Sequence, residues 1–323
     1  MEWATPLPWG KEDGERFDPP ARYVYPDPVN RVVSPLLALL ALLPLLALLA
    51  PSLGCTVLLA PGEQQCETTQ DCTNRGFSGA VCTANVCQVM VDPIWGCLGH
   101  VVEPVPDPTM KVTFAEKLTY TDQSPVTMAT VDVCDKLDLD CTSTDPDYPK
   151  GLMPGPDGTV NLTVIQGFDG FVRISGPTVM DSRVFVGRPI VTPPSVKSVR
   201  LLEPSEYQLL AGYAKQVVDP TRGTAILLAV DCSDNSASGV SFTCAAADSG
   251  SQAFYLINQA PTPPPTATST DVDGFGGYLN LPVGLTVAQS YRASDDTLVG
   301  QSSFDVLANT ISYVQIAPTP MLP

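Results

Sequence analysis

The chain has 323 residues, a net charge of −17 and only 16% charged side chains, and 33 prolines interrupt it. Such a surface repels a phosphate backbone, which argues against nucleic acid as a partner, and the prolines argue against long helices. Ten cysteines beside a single histidine, His100, exclude the usual two- and three-histidine metal sites and favour disulfides made outside the reducing cytosol.

Residues 1–30 mix acids such as Glu2, Glu12 and Asp18 with Lys11, Arg16 and Arg22, are rich in proline, and show no apolar period. They read as an unstructured or mis-assigned start, with translation beginning nearer Val32 or as an unusually long n-region. Residues 31–54 read as a signal peptide. Arg31 supplies the positive charge, and the 14 residues from Leu36 to Leu49 are Leu and Ala broken only by Pro44. That run is short for a transmembrane helix, and Pro44, Pro51 and the polar sequence from Glu63 count against an anchor. Ser52-Leu53-Gly54-Cys55 resembles a bacterial lipoprotein box, although the usual leading Leu and second small residue are missing. It predicts cleavage before Cys55 and lipidation of that cysteine, hence a membrane partner through a lipid anchor. An ordinary small-x-small site gives the same cut without the lipid.

Residues 55–108 form a cysteine-rich segment and linker. From Cys66 to Cys97 the spacing is C-x5-C-x9-C-x4-C-x9-C. So short a segment buries no core of its own and is expected to depend on bridges among Cys66, Cys72, Cys82 and Cys87. Glu-Pro-Val-Pro-Asp-Pro at 103–108 reads as a stiff, extended linker.

Two series of short strands follow, over 109–194 and 195–319. In the first, 111–120, 130–133, 159–165 and 170–176 alternate or run apolar between turn clusters such as Gly155-Pro156-Asp157-Gly158. In the second, strands are expected at 198–202, 223–230, 239–244, 253–257, 266–270, 277–281, 285–291 and 310–317, with one helix at 205–217 behind Pro204. Asp-Gly and Gly turns recur in both series. Short strands with regular turns over about 100 residues suit a β-sandwich. The expected class is mainly β, with two tandem sandwiches.

Three turn motifs sharpen that expectation: Ala237-Ser238-Gly239-Val240, Thr270-Asp271-Val272-Asp273-Gly274, and Asn280-Leu281-Pro282-Val283-Gly284. They resemble the carboxypeptidase-regulatory-like, transthyretin-like (prealbumin-like) β-sandwich domains of bacterial surface lipoproteins, well over 225–317 and loosely over 110–175. The resemblance implies a fold and a place on the outer membrane or cell surface of a Gram-negative bacterium. It implies no peptidase activity.

Candidate sites are sparse. His100 lies between a cysteine and a proline-rich stretch, a poor place to hold an imidazole against a nucleophile, so no catalytic residue is assigned. Asp271 and Asp273 are weak calcium ligands; capping of their own turn competes with that role. Phe254, Tyr255 and Tyr278 could stack on a sugar or a peptide, or simply pack. Cys232 and Cys244, either side of Ser233-Asp234-Asn235-Ser236, are expected to pair across a hairpin, and Cys134 with Cys141, leaving Cys97 free or bridged to Cys55. No cofactor is implied. The expected role is a non-catalytic, exported envelope lipoprotein that is structural or binds a carbohydrate or protein partner. The alternative is a carboxylate-based hydrolase.

Overall fold

A computed structural model describes residues 64–320 apart from 78, 90, 91, 195, 196 and 265. Residues 1–30, the signal-peptide segment and Cys55 lie outside the described residues.

The cysteine-rich segment is a small unit. Helix α1 (Thr69–Asn74) precedes a hairpin of β1 (Ala80–Thr83) and β2 (Val86–Val89). The Asp71 carboxylate accepts the N–H groups of Glu67 and Thr68 and closes the first helical turn. Ala84 and Asn85 turn the hairpin with φ of 48° and 63°, the left-handed pair that matches strand twist. Cys72–Cys87 bridges the helix to the hairpin and Cys66–Cys82 bridges the stretch before the helix to it, in place of a larger core.

The remaining chain is mainly β, as its alternating runs predict. The first half holds β3 (Lys111–Thr119), β4 (Thr130–Asp135), β5 (Thr159–Ile165), β6 (Gly170–Gly176), β7 (Val179–Phe185) and β8 (Lys197–Arg200). Helix α2 (Pro204–Tyr213) leads into β9 (Gly223–Ala229), β10 (Val240–Cys244), β11 (Gln252–Ile257), β12 (Ala260–Thr262), β13 (Phe275–Leu281), β14 (Gly284–Arg292), β15 (Leu298–Val306) and β16 (Ile311–Ile316).

These strands make three layers. The central sheet has the order β12-β11-β13-β9-β16-β7-β6-β4. One of its faces carries the sheet β5-β3-β8 beside α2; the other carries β10-β14-β15. β9 reads GTAILLA, apolar without alternation, because it is covered on both sides: Ile226 packs with Tyr207 and Leu210 of α2, while Leu227 packs with Phe242 and Phe304. β5 alternates because it has one solvent face.

The two sandwich halves share the central sheet. β16 runs parallel to both β7 and β9, with Ile311 opposite Ser182 on one side and Thr224 on the other. β8, which follows the 194/195 division, pairs with β3 of the first half. Residues 266–270 form no strand, and β7 and β15 arise where no strand was expected. α2 stops at Tyr213, before the expected end, because Lys215 takes a φ of 59°.

Cys232 does not pair with Cys244. β9 and β10 lie in different layers, so no hairpin register joins these cysteines, and Cys244 is a buried free thiol. Cys232 instead bridges Cys97, with Cα atoms 5.7 Å apart. Trp95 packs against the same core, Ile94 C=O accepts the Cys232 N–H at 3.1 Å, and Asp92 lies 3.5 Å from Arg292. The cysteine-rich segment is thereby fastened to the second half. Cys134 and Cys141 are bridged.

Candidate functional site

The polar chemistry concentrates where the two halves meet. Arg183 on β7 and Asp305 on β15 form an ion pair at 3.2 Å with side chains only 4% and 5% exposed. Arg183 also donates to the Leu139 carbonyl, and its guanidinium lies 4.7 Å from the Phe171 ring centre. Burial pushes the Asp305 carboxyl up, and the guanidinium opposes that shift. Beside it, Arg173 pairs with Asp132 at 2.7 Å, and Lys150 donates to Val133 C=O at 2.7 Å and to the bridged Cys141 Sγ at 2.9 Å. Burial lowers the Lys150 ammonium. The loop closed by Cys134–Cys141 presents the carbonyls of Leu139 and Asp140 to Arg183 and Arg173. Arg183–Asp305 joins two layers, Arg173–Asp132 ties neighbouring strands of the central sheet, and Lys150 holds the bridged loop to β4.

Next to the cluster opens a cleft of about 220 Å³ between β15, the turn after β7 and the C-terminal stretch. Glu103, Lys136, Asp169 and Arg188 supply its charge, and Gln301, Ser302 and Ser303 its neutral polar wall. Lys136 Nζ donates to both Asp169 carboxylate oxygens, at 3.1 and 2.9 Å. Arg188 donates to the Pro318 carbonyl at 2.7 Å, and its buried Nε has no partner. An open cleft with mixed donors and acceptors suits reversible binding of a polar surface.

The residues singled out in the sequence lie elsewhere. Asp271 Oδ2 accepts the Asn258 N–H at 2.7 Å, and its Oδ1 accepts the Asp273 N–H at 3.0 Å; Gly274 follows at φ 75°. The structure uses this carboxylate as a turn cap, and it is not gathered with other ligands. His100 is exposed in a turn. Sulfurs of Cys66, Cys72 and Cys87 lie within 4.8 Å of one another because two bridges adjoin, and oxidised sulfur is not a metal ligand. Phe254 is fully buried under α2, while Tyr255 and Tyr278 reach across to β10: the Tyr255 hydroxyl accepts the Phe242 N–H at 3.1 Å and the Tyr278 hydroxyl donates to the Phe242 carbonyl at 2.8 Å. No aromatic platform for a ligand results. The cleft residues carried no local motif, so only the meeting of distant segments reveals them.

No protein-family model matches the chain, and no curated protein matches it in sequence. Among solved structures it is similar to the Streptococcal ancillary pilin, at 15% identity and a TM-score of 0.21 over 74% of this chain and 71% of that one. It is also similar to the shaft pilin SpaA from Lactobacillus rhamnosus GG, at 11% and 0.19 over 66% and 99%, and to the Bacillus anthracis TIE protein, at 12% and 0.20 over 62% and 33%. The chain spans a third of the length of that last protein. Likenesses of this size establish neither a shared fold nor a shared role.

Proposed function

We propose that this is an exported, non-catalytic envelope protein whose fused sandwiches are structural or hold a carbohydrate or protein partner. The observation that carries the reading is covalent. Four disulfides tie the described residues, one of them fastening the cysteine-rich segment to the second half, as befits a protein that works outside the cytosol. The cluster around Arg183 supports a load-sharing role rather than chemistry, since both its arginines are ion-paired and Lys150 is spent on a backbone carbonyl. The cleft beside Lys136 and Arg188 is the place for a partner. Lipidation of Cys55 and residence in a Gram-negative outer membrane belong to the same proposal and rest on the Leu36–Cys55 sequence. Mass spectrometry of the envelope fraction tests it: a lipid-modified N-terminal peptide starting at Cys55 is expected. Peptides from residues 1–30 in the mature protein would overturn the export reading. A partner that co-purifies with the native chain and is lost from Arg188→Glu would locate binding at the cleft.

A further inference from the structure

Six strands end the three sheets, and their outward peptide groups are treated unequally. β4 is covered: Val131 exchanges hydrogen bonds with Leu152, and the Val133 N–H reaches Pro149 C=O. β10 is covered by Thr270 at Val240 and by Tyr255 and Tyr278 at Phe242. β12 has three residues with Pro261 at its middle, and β8 has four. β15 is recessed in the cleft, with Thr319 N–H on Val299 C=O and the Ser312 hydroxyl on Asp305 C=O.

β5 differs. Its seven residues, TVNLTVI, contain no charge and no proline, and its pairing with β3 has no bulge. The Leu118 N–H to Gly158 C=O bond sets the ladder phase, so Val160, Leu162 and Val164 turn their peptide groups toward β3. Thr159, Asn161, Thr163 and Ile165 turn theirs outward. The ends of that row are used locally, since the Thr159 N–H goes to Asp157, its carbonyl accepts from Gly155, and the Ile165 carbonyl accepts from Phe168. Among the described residues, Asn161 and Thr163 keep both outward groups without a partner. Proteins ordinarily guard such an edge with lysine, proline or a bulge.

We propose that β5 is the docking edge for a second copy of this chain, adding antiparallel β5 to β5 about a twofold axis at Leu162. In that register Asn161 faces Thr163 of the other copy, and each facing pair exchanges two N–H to O=C bonds. The free groups are thus matched in number and direction by symmetry alone. Side chains of Asn161 and Thr163 are exposed and neutral, so strands of a chain carrying −17 meet here without like-charge repulsion. The product is a six-stranded sheet across both copies.

Sedimentation velocity of the purified full chain in detergent tests this, with amide exchange as a second readout. The native protein is expected to reach twice the monomer mass as concentration rises, with slowed exchange at Asn161 and Thr163. N161K/T163K is expected to weaken self-association at least tenfold with an unchanged circular dichroism spectrum; T163K alone serves if the double variant fails to fold. Q301K/S303K, at the β15 edge, is expected to dimerise as the native chain does. A native chain that stays monomeric, or a dimer that survives the β5 variants, or one lost only with the β15 variant, overturns the proposal.

Discussion

At the residue scale the pair Arg183–Asp305 is decisive, since two desolvated charges must satisfy each other. Removing one partner leaves the other buried and unpaired. Asp305→Ala is expected to lower stability by about 3–5 kcal/mol in urea unfolding at neutral pH. Arg183→Met with Asp305→Leu is expected to recover most of that loss, because apolar replacements leave no stranded charge. If the single and double variants unfold alike, desolvation is not what the pair is balancing. The same residues explain a gap in what the sequence reveals. β7 (VMDSRVF) and β15 (LVGQSSFDV) went unrecognised because their buried charges and small polar residues break the apolar period, and those charges are satisfied only across layers.

At the element scale, strands with one wet face were legible. β5 appears with the bounds that alternation predicts, since period two is written locally by burial on one side, while β6, covered on both faces, keeps its expected bounds as a run between glycines. β10 shows what local pattern omits. Its central peptide group at Phe242 is completed by hydroxyls from the central sheet. Tyr278→Phe keeps the packing and removes one donor, so it is expected to cost about 1–3 kcal/mol as the Phe242 carbonyl loses its partner. Thermal unfolding of that variant beside Tyr291→Phe, whose hydroxyl bonds Gln289 at 2.9 Å near the surface, separates an edge-sealing effect from a generic one. Equal losses would argue against edge sealing.

At the scale of the whole molecule, two terms stand out. The Cys97–Cys232 bridge closes a loop of 232 − 97 + 1 = 136 residues. Chain entropy then assigns it about 5 kcal/mol, a model-dependent figure. Serine at both positions is expected to approach that loss in urea and to free the cysteine-rich segment for proteolysis near Trp95, read by limited digestion. The second term is acid sensitivity. Asp107, Asp122, Asp157 and Asp219 each accept hydrogen bonds from a Ser or Thr two residues on, and these bonds hold the carboxyls below their usual 3.8. A depressed native value means stability that is present above pH 3.8 and lost as pH falls through the lower native values. Asp305, raised by burial, acts in the opposite sense. Acid unfolding is therefore expected below pH 3.8, and Asp157→Asn with Asp219→Asn is expected to make the acid limb shallower. A limb unchanged by those substitutions would count against the turn aspartates.

The sequence by itself determined the mainly-β class, most strand positions, the cysteine-rich unit and the turn chemistry, because alternation, Asp-Gly turns and cysteine spacing act over a few residues. Only the tertiary structure decided the rest. It set β16 parallel between β7 and β9, so one sheet serves both halves. It gave Cys232 to Cys97 in place of Cys244, and it assembled the cleft from Lys136, Asp169, Arg188 and β15. These are pairings across more than a hundred residues in several cases, and no local period encodes them; they follow from which faces are left to bury once each strand has formed.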